Sequence, residues 1–466
     1  MTQVSTMPVP FFRAFGSMLL LAGASAVSHA DRPAPPRLLD EAPPPLFAVK
    51  PAEPADPTDS AAEAPDTAPP ADAAAPPAIG DGAEAPIDSP TDATDTAGEF
   101  AATASPHLRR YLRGNAAHGW AVGQLGQPED FWNQLVDGLV ADETSAAVVE
   151  YLGHVSRKDK ADPSTEFFAQ FDLGKKANNE AYSHNVLEVD DTTPTYEFTP
   201  RTTAVGLDYD DFFTPHCDRI RMPVPPGGRL QNEFDYRCTT NSDCHLYSVN
   251  LDNGRIYEQW RAYSPGPDKS AFLGGCANYW DLRAPQPANL RGLSCTSANA
   301  AGLPYIPMLV TPGEIKAGEI RHALAFTLPN AWVQRDLYAR PATHNPIRTS
   351  WGPPEAGPGQ PMLYGSRLRL RGDFEIAERW PPALRVVLVA LQRYGMFHID
   401  GGPRMIIASN DALSEHSWND PDIRLNPFDL TGIAKLTWAD FEVVSDSDDI
   451  GSMADTTCTR RPINEF

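Results

Sequence analysis

The stretch from Asp243 to Tyr263, DCHLYSVNLDNGRIYEQWRAY, restricts the fold more than any other part of the chain. Two alternating runs flank Asn253-Gly254, the dipeptide with the strongest preference for a two-residue type I′ hairpin turn. That turn pairs Leu251 with Ile256, Val249 with Glu258, Tyr247 with Trp260 and His245 with Ala262. Directly opposed residues share a face. One face then carries His245, Tyr247, Val249, Leu251, Ile256, Glu258 and Trp260, and the other carries Leu246, Ser248, Asn250, Tyr257, Gln259 and Arg261. The first face is apolar and aromatic, yet it holds a carboxylate and an imidazole. It is either a functional cleft or a core with two polar passengers. A three-residue loop over Asp252, Asn253 and Gly254 would slip the register by one and break the grouping.

The texture around the hairpin agrees with β structure. Short alternating runs separated by Pro and Gly predict strands at 184–189, 195–199, 219–224, 278–282, 320–328, 367–371, 396–400 and 404–408. Many short strands with turn residues between them suggest a mainly β, disulfide-bonded sandwich of jelly-roll type with peripheral helices. Helices are expected near 107–112 and 143–152, at 312–317 behind a Thr311 N-cap, and at 382–394, which is strongly apolar.

The first 105 residues are different material. Arg13, an apolar run over 14–27 and Ser28-His29-Ala30 read as a signal peptide cut before Asp31. No later segment approaches the roughly 20 apolar residues of a membrane span. Residues 31–105 are rich in Pro, Ala, Asp, Thr and Glu, with 15 acidic and 3 basic side chains, a net of −12. Such a stretch cannot bury enough apolar surface to offset its ordering entropy and reads as a disordered acidic linker. The whole chain carries −23, so 106–466 also carries −12 once Arg13 is counted. An acidic domain argues against nucleic acid as a partner, because that binding rests on neutralising phosphates. These features predict a secreted or periplasmic protein with a single folded domain over 106–466, acting as a monomer.

All six cysteines lie in that domain: Cys217, Cys238, Cys244, Cys276, Cys295 and Cys458. An even count in an exported chain predicts three disulfides, of 15 pairings open to six cysteines. Spacing favours Cys238 with Cys244 and Cys276 with Cys295, leaving Cys217 with Cys458.

Several side chains are candidates for chemistry. Glu258 on an apolar face would resist ionisation and suit general acid catalysis, or it would pair with an Arg. Trp260 and Tyr247 offer flat rings to a sugar, or ordinary core packing. His322, in EIRHALAFTL, falls in an apolar row as a base, a metal ligand or a satisfied core residue. Asp243 and His245 point to the same side of an extended chain, and with His322 they form a weak metal or acid–base constellation. Asp400 precedes Gly401-Gly402 and is a second carboxylate or part of a turn. Arg261 and Arg369 would meet a uronate, or the protein's own surplus of acid. The serine-hydrolase elbow, the zincin motif, the P-loop and the dinucleotide fingerprint are all missing from the sequence.

Several stretches together form a pattern: Phe131-Trp132-Asn133 with the following 145–152 helix, Asp243 to Ala262, and Ala300-Ala301-Gly302-Leu303-Pro304 running on to Leu309-Val310. They continue with Gly318-Glu319-Ile320, His322-Ala323-Leu324 and Phe326, then Leu368-Arg369-Leu370 and 391–396. In this order the chain resembles a widespread family of secreted bacterial and fungal proteins. Cys276, Cys295 and the 410–425 loop depart from that pattern. The resemblance implies secretion and one continuous domain, and no particular reaction.

The leading expectation is an enzyme acting on extracellular or cell-wall polysaccharide, by hydrolysis or elimination. Glu258 would be its acid or base, His322 or His245 the partner, and Asp243 or Asp400 a second carboxylate. Trp260, Tyr247, Arg261 and Arg369 would bind the glycan. No cofactor or resident metal is expected. The alternative is a glycan- or wall-binding protein without activity, and a weaker one is a metal enzyme using Asp243, His245 and His322.

Overall fold

The computed structural model describes residues 114–158, 170–172, 176–177, 180–181, 184–200, 215–239, 243–264, 271–408, 418, 420–421, 423, 425–426, 429–444, 449–454, 457–460 and 464–465. The expected signal peptide, the acidic linker and the helix near 107–112 lie outside the described residues.

The hairpin forms, with a longer connection than Asn-Gly alone predicts. Strand Leu246–Asn250 pairs antiparallel with Arg255–Trp260, matching Asn250 to Arg255, Val249 to Ile256 and Tyr247 to Glu258. Glu258 therefore faces Tyr247 rather than Val249, and Trp260 has no partner on the first strand. The reason lies in Asn250. Its Oδ1 accepts hydrogen bonds from the amides of Asp252 and Asn253, both at 3.0 Å, an Asx turn that starts the reversal early. Gly254 completes it at φ +67°, in the left-handed region that glycine enters without steric cost. Strand side chains alternate with period two, so a slip of two residues keeps the facial grouping intact.

The hairpin belongs to a four-stranded sheet in the order Cys276–Asp281, Arg255–Trp260, Leu246–Asn250, Val186–Glu188. Next to it lies a six-stranded sheet ordered Gln170–Asp172, Met405–Ile407, Leu324–Leu328, Met396–Gly401, Arg367–Leu370, Phe441–Val443. A further sheet is built on Arg219–Pro223, Thr195–Pro200 and Phe272–Gly274, and another on Met362–Tyr364, Val333–Ala339 and Ile450–Ser452. The protein is thus β-rich with few helices, but its sheets are mixed. Leu324–Leu328 runs parallel to Met396–Gly401, and Val186–Glu188 runs parallel to Leu246–Asn250. A jelly roll is built from antiparallel strands, so the mixed sheets differ from that expectation. The parallel pair 324–328 and 396–401 is joined by a long connection that holds three other strands and helix Pro382–Arg393, long enough for the chain to return in the same direction.

Alternation along each strand sorts the side chains into layers. Leu324, Phe326, Leu328, Leu368, Leu370 and Met396 face one apolar cluster, together with Leu384, Leu388 and Leu391 of the 382–393 helix and Tyr151 and Leu152 of helix Ser145–Lys158. Ala325, Phe397, Ile399 and Ile407 face the opposite way and pack on Tyr247, Val249 and Ile256. The outer face of the hairpin, Leu246 and Tyr257, packs on Met222 and Phe272. The sheet of the hairpin is therefore covered on both sides, and its polar residues are committed to the interior. Gly395, at φ +67°, turns the chain from the 382–393 helix into the next strand; a Cβ there would collide with the Leu368 carbonyl.

Three disulfides close the described domain. Cys238 joins Cys244, as expected. The other two pairings differ from expectation: Cys217 joins Cys276, and Cys295 joins Cys458. Sequence proximity suggested Cys276 with Cys295, but the Asp218 amide donates to the Ala277 carbonyl at 2.8 Å and sets Cys217 beside Cys276. No helix among the described residues is long and apolar enough to cross a membrane.

Candidate functional site

A cleft of about 250 Å³ opens at the end of the hairpin sheet, lined by Asp243, Trp260, residues 296–300, Asn330, His344, Tyr364, Asp400 and Gly401, among others. Three expected site residues meet here: Asp243, Trp260 and Asp400. Exposed Asp243 accepts a hydrogen bond from Trp260 Nε1 at 2.9 Å. The half-buried indole thereby stands at the mouth of the cleft, with the Arg261 guanidinium carbon 5.3 Å from its ring centroid.

Asp400 reaches the cleft through a bulge. In the pairing with Leu324–Leu328, Phe326 lies opposite His398 and Thr327 opposite Asp400, so Ile399 is the extra residue. A bulge re-aims the side chains beyond it. Asp400 Oδ2 accepts from the Tyr305 hydroxyl at 2.7 Å, and Oδ1 accepts from the Gly401 amide at 2.8 Å and the Ala300 amide at 3.4 Å. The residue keeps partial solvent contact, but its carboxyl is densely surrounded. Burial first, and then the charge of Asp243, outweigh those hydrogen bonds and push the acid up to about 7. Tyr305 is itself held well above its ordinary value, by burial and then by Asp400, so it remains a donor.

Behind this wall lies a sealed polar layer. Tyr247 shares a hydrogen bond with His184 Nδ1 at 2.9 Å, His184 Nε2 lies 3.0 Å from Gln231, and Gln231 lies 2.7 Å from His245 Nδ1. The chain ends where His245 Nε2 meets the Ala298 carbonyl at 3.0 Å. Burial disfavours the charged form of both imidazoles. His245 and Tyr247 therefore buttress the wall without touching the cleft.

Glu258 lies deeper still, with 0 % of its surface exposed. It does not reach the cleft as expected. One carboxylate oxygen accepts from the amides of Tyr305 and Ile306 at 2.6 and 2.9 Å, and the other from Trp280 Nε1 at 3.3 Å. Burial pushes it up to about 7 against those bonds. Its work is to clamp the start of the 3-10 turn Ile306–Met308, from which Tyr305 reaches Asp400.

Two further expected residues lie elsewhere. His322 is buried, with Nε2 2.8 Å from Glu314 and Nδ1 2.8 Å from the Ala323 carbonyl. Glu314 also closes a capping box with Thr311. His322 is therefore a structural ion-pair partner and cannot join Asp243 and His245 in a metal site. Arg369 pairs with Glu442 and donates to the Val136 carbonyl, so it meets the protein's own acid. Among the described residues, Glu233, Cys238 and Cys244 have ligand-like spacing. The two sulfurs are bonded to each other, so neither is the thiolate a metal needs.

The cleft residues that the sequence pattern missed are Asn330, His344, Tyr364 and the 296–300 wall. Asn330, His344 and Tyr364 are polar residues in or beside loops, and 296–300 is itself a loop, with no periodic signal. The wall is rigid: Cys295 is disulfide-bonded, Thr296 Oγ1 donates to the Asn299 carbonyl at 2.8 Å, and Asn299 Nδ2 donates to the Leu303 carbonyl at 2.6 Å. Comparison with protein-family models, with curated proteins and with solved structures finds no match for this chain.

Proposed function

We propose that the cleft hydrolyses glycosidic bonds of an extracellular polysaccharide. The observation that carries this reading is the convergence of Asp243 and Asp400 on one cleft with Trp260 at its mouth. Glycoside hydrolysis uses two carboxyl groups, one held protonated and one ionised. Asp400, at about 7, retains its proton near neutral pH and suits the acid. It protonates the glycosidic oxygen as the C1–O bond breaks. Asp243 either deprotonates the attacking water or attacks C1 itself, and the anomeric configuration of the product tells which. Trp260 offers the apolar face of its indole to a sugar ring.

Elimination fits the cleft less well. A lyase needs a cation to neutralise the uronate; among the described residues that line the cleft there is no Lys or Arg, and Arg261 lies against the Trp260 ring. The three disulfides suit an oxidising, extracellular compartment, and so a secreted protein. The test is release of reducing ends from a panel of neutral polysaccharides. Wild type should release them, and Asp400→Asn should lower the rate by roughly 10²- to 10⁴-fold. Retention on insoluble glycan without turnover by wild type would instead make the protein a binding module.

A further inference from the structure

His344 carries a ring nitrogen that the fold does not use. The residue is 3 % exposed and lines the cleft. Its Nδ1 lies 2.8 Å from the Ala300 carbonyl oxygen. A carbonyl oxygen only accepts, so Nδ1 bears the ring hydrogen and Nε2 is left as a bare acceptor. Among the described residues no donor meets Nε2. An acceptor on a cleft wall takes its donor from water or from a bound ligand.

The ring is also fixed in place. The Thr343 amide donates to the Ala301 carbonyl at 2.9 Å, and Thr343 Oγ1 donates to the Cys295 carbonyl at 2.7 Å. Asn345 Nδ2 donates to the carbonyls of Gln334 and Leu337 at 2.8 and 2.7 Å. Burial, set against the Ala300 hydrogen bond and aided by the nearby His216 and Arg348, holds the imidazole down at about 3. It is therefore an uncharged acceptor near neutral pH.

Asn330 complements it. Its Oδ1 accepts from the Tyr364 hydroxyl at 2.8 Å, which leaves the two amide hydrogens of Nδ2 as its donors. Asn330, Tyr364 and His344 all line the same cleft. Ala300 ties this pair to the acid, since its amide donates to Asp400 while its carbonyl holds His344.

We infer that His344 is a specificity-determining residue whose Nε2 accepts a hydrogen bond from a hydroxyl of an uncharged sugar, while the Asn330 amide donates to a neighbouring oxygen. This rests on the hydrolase reading for the identity of the ligand as a glycan. The same geometry selects against uronates. A carboxylate placed here would face a lone pair on Nε2 and share the cleft with Asp243 and Asp400.

Two substitutions separate recognition from support. Asparagine can keep the donor to Ala300 but places nothing at Nε2; glutamine can place a carbonyl oxygen near Nε2 but gives up the anchor. Full-length Asp400→Asn, alone and combined with His344→Asn or His344→Gln, is titrated calorimetrically with cellohexaose, xylohexaose, chitohexaose and hexagalacturonate. We expect a neutral hexasaccharide to bind, with His344→Asn weakening it roughly 10- to 100-fold and His344→Gln weakening it only a few-fold. Thermal melting should show the Asn variant at least as stable as the Gln variant. The reverse order of binding, or preferential binding of hexagalacturonate, would overturn the proposal. If wild type cleaves a neutral hexasaccharide and His344→Asn binds it equally well, the assignment of His344 fails while the hydrolase stands. If no hexasaccharide is bound or cleaved, both fall. A measurement on unmutated protein guards against misfolded variants. The ¹⁵N resonance of His344 Nε2 should move from a bare-nitrogen shift toward a hydrogen-bonded one when the bound hexasaccharide is added, and a stationary resonance would count against the proposal.

Discussion

Tyr305 donates its hydroxyl hydrogen to Asp400 at 2.7 Å, while its own amide is held by Glu258 at 2.6 Å. One residue thus carries a buried structural carboxyl on its backbone and a cleft carboxyl on its side chain. Tyr305→Phe removes a donor that favours ionised Asp400, so the acid should rise further above its present value of about 7. The alkaline limb of kcat/KM is expected to move to higher pH, with the plateau rate changed by less than about tenfold. A pH–rate profile of the variant checks this.

Asp243→Asn acts in the opposite sense. The charge of Asp243 helps to raise Asp400, so its removal should lower the acid and draw the alkaline limb toward lower pH. The rate should also drop roughly 10²- to 10⁴-fold, because the second carboxyl is gone. An unmoved limb with an unchanged rate would show that the two carboxyls do not work together.

Glu258 should matter for stability rather than for chemistry. Its folded value of about 7 lies above the ordinary 4.5. The folded state therefore holds the proton more tightly than the unfolded chain does. This contribution is fully present below the ordinary value and is lost as pH rises through about 7, a change of about 3 kcal/mol at 1.36 kcal/mol per unit. Glu258→Gln should flatten that decline, read by urea unfolding at pH 5 and pH 8, and should keep activity within several-fold of wild type. Glu258→Ala leaves the amides of Tyr305 and Ile306 without their acceptor, at roughly 1–3 kcal/mol each.

The Glu314–His322 pair has a pH signature of its own. Burial opposes the charge on His322, but the charge and hydrogen bond of Glu314 win and raise it above 6.5. The stabilisation is present below that ordinary value and is lost as pH rises through the folded one. Glu314→Ala should cost about 3–5 kcal/mol at pH 6. Thermal melting at pH 6 and pH 9 should show a smaller gap from wild type at the higher pH.

Cys458→Ser cuts a bond that spans 163 residues and anchors the start of the cleft wall. We expect a loss of about 2–5 kcal/mol. KM should rise more than kcat falls, because the 296–300 wall and the Thr343 contact to Cys295 both loosen. Peptide mapping under non-reducing conditions checks the pairing itself.

The hairpin shows how much of this was legible in the sequence. Its facial grouping was readable, because alternation survives a two-residue slip; its register was not, because Asn250 captured the turn through its side chain. The helix over 312–317 and its Thr311 cap were readable because capping is local. Local signals also suggested Asp243, Trp260 and Asp400, which do share the cleft. Glu258 and His322 drew attention as charges on apolar faces, yet burial with fixed partners accounts for both. His344 carried no local signal, since its significance comes from an Ala300 carbonyl 44 positions away. The pairing of Cys217 with Cys276 depended likewise on a strand contact that spacing does not encode.

The extra residue at Ile399 has a consequence for inheritance as well as for geometry. The orientation of Asp400 depends on how many residues precede it in its strand as much as on its being an aspartate. Deleting one residue there would leave every cleft side chain in the gene, yet remove the bulge that aims the acid and so disturb its setting against Tyr305 and Ala300. Relatives of this protein that keep the aspartate but lack the inserted position should be inert, and a search for active ones should compare strand length before residue identity.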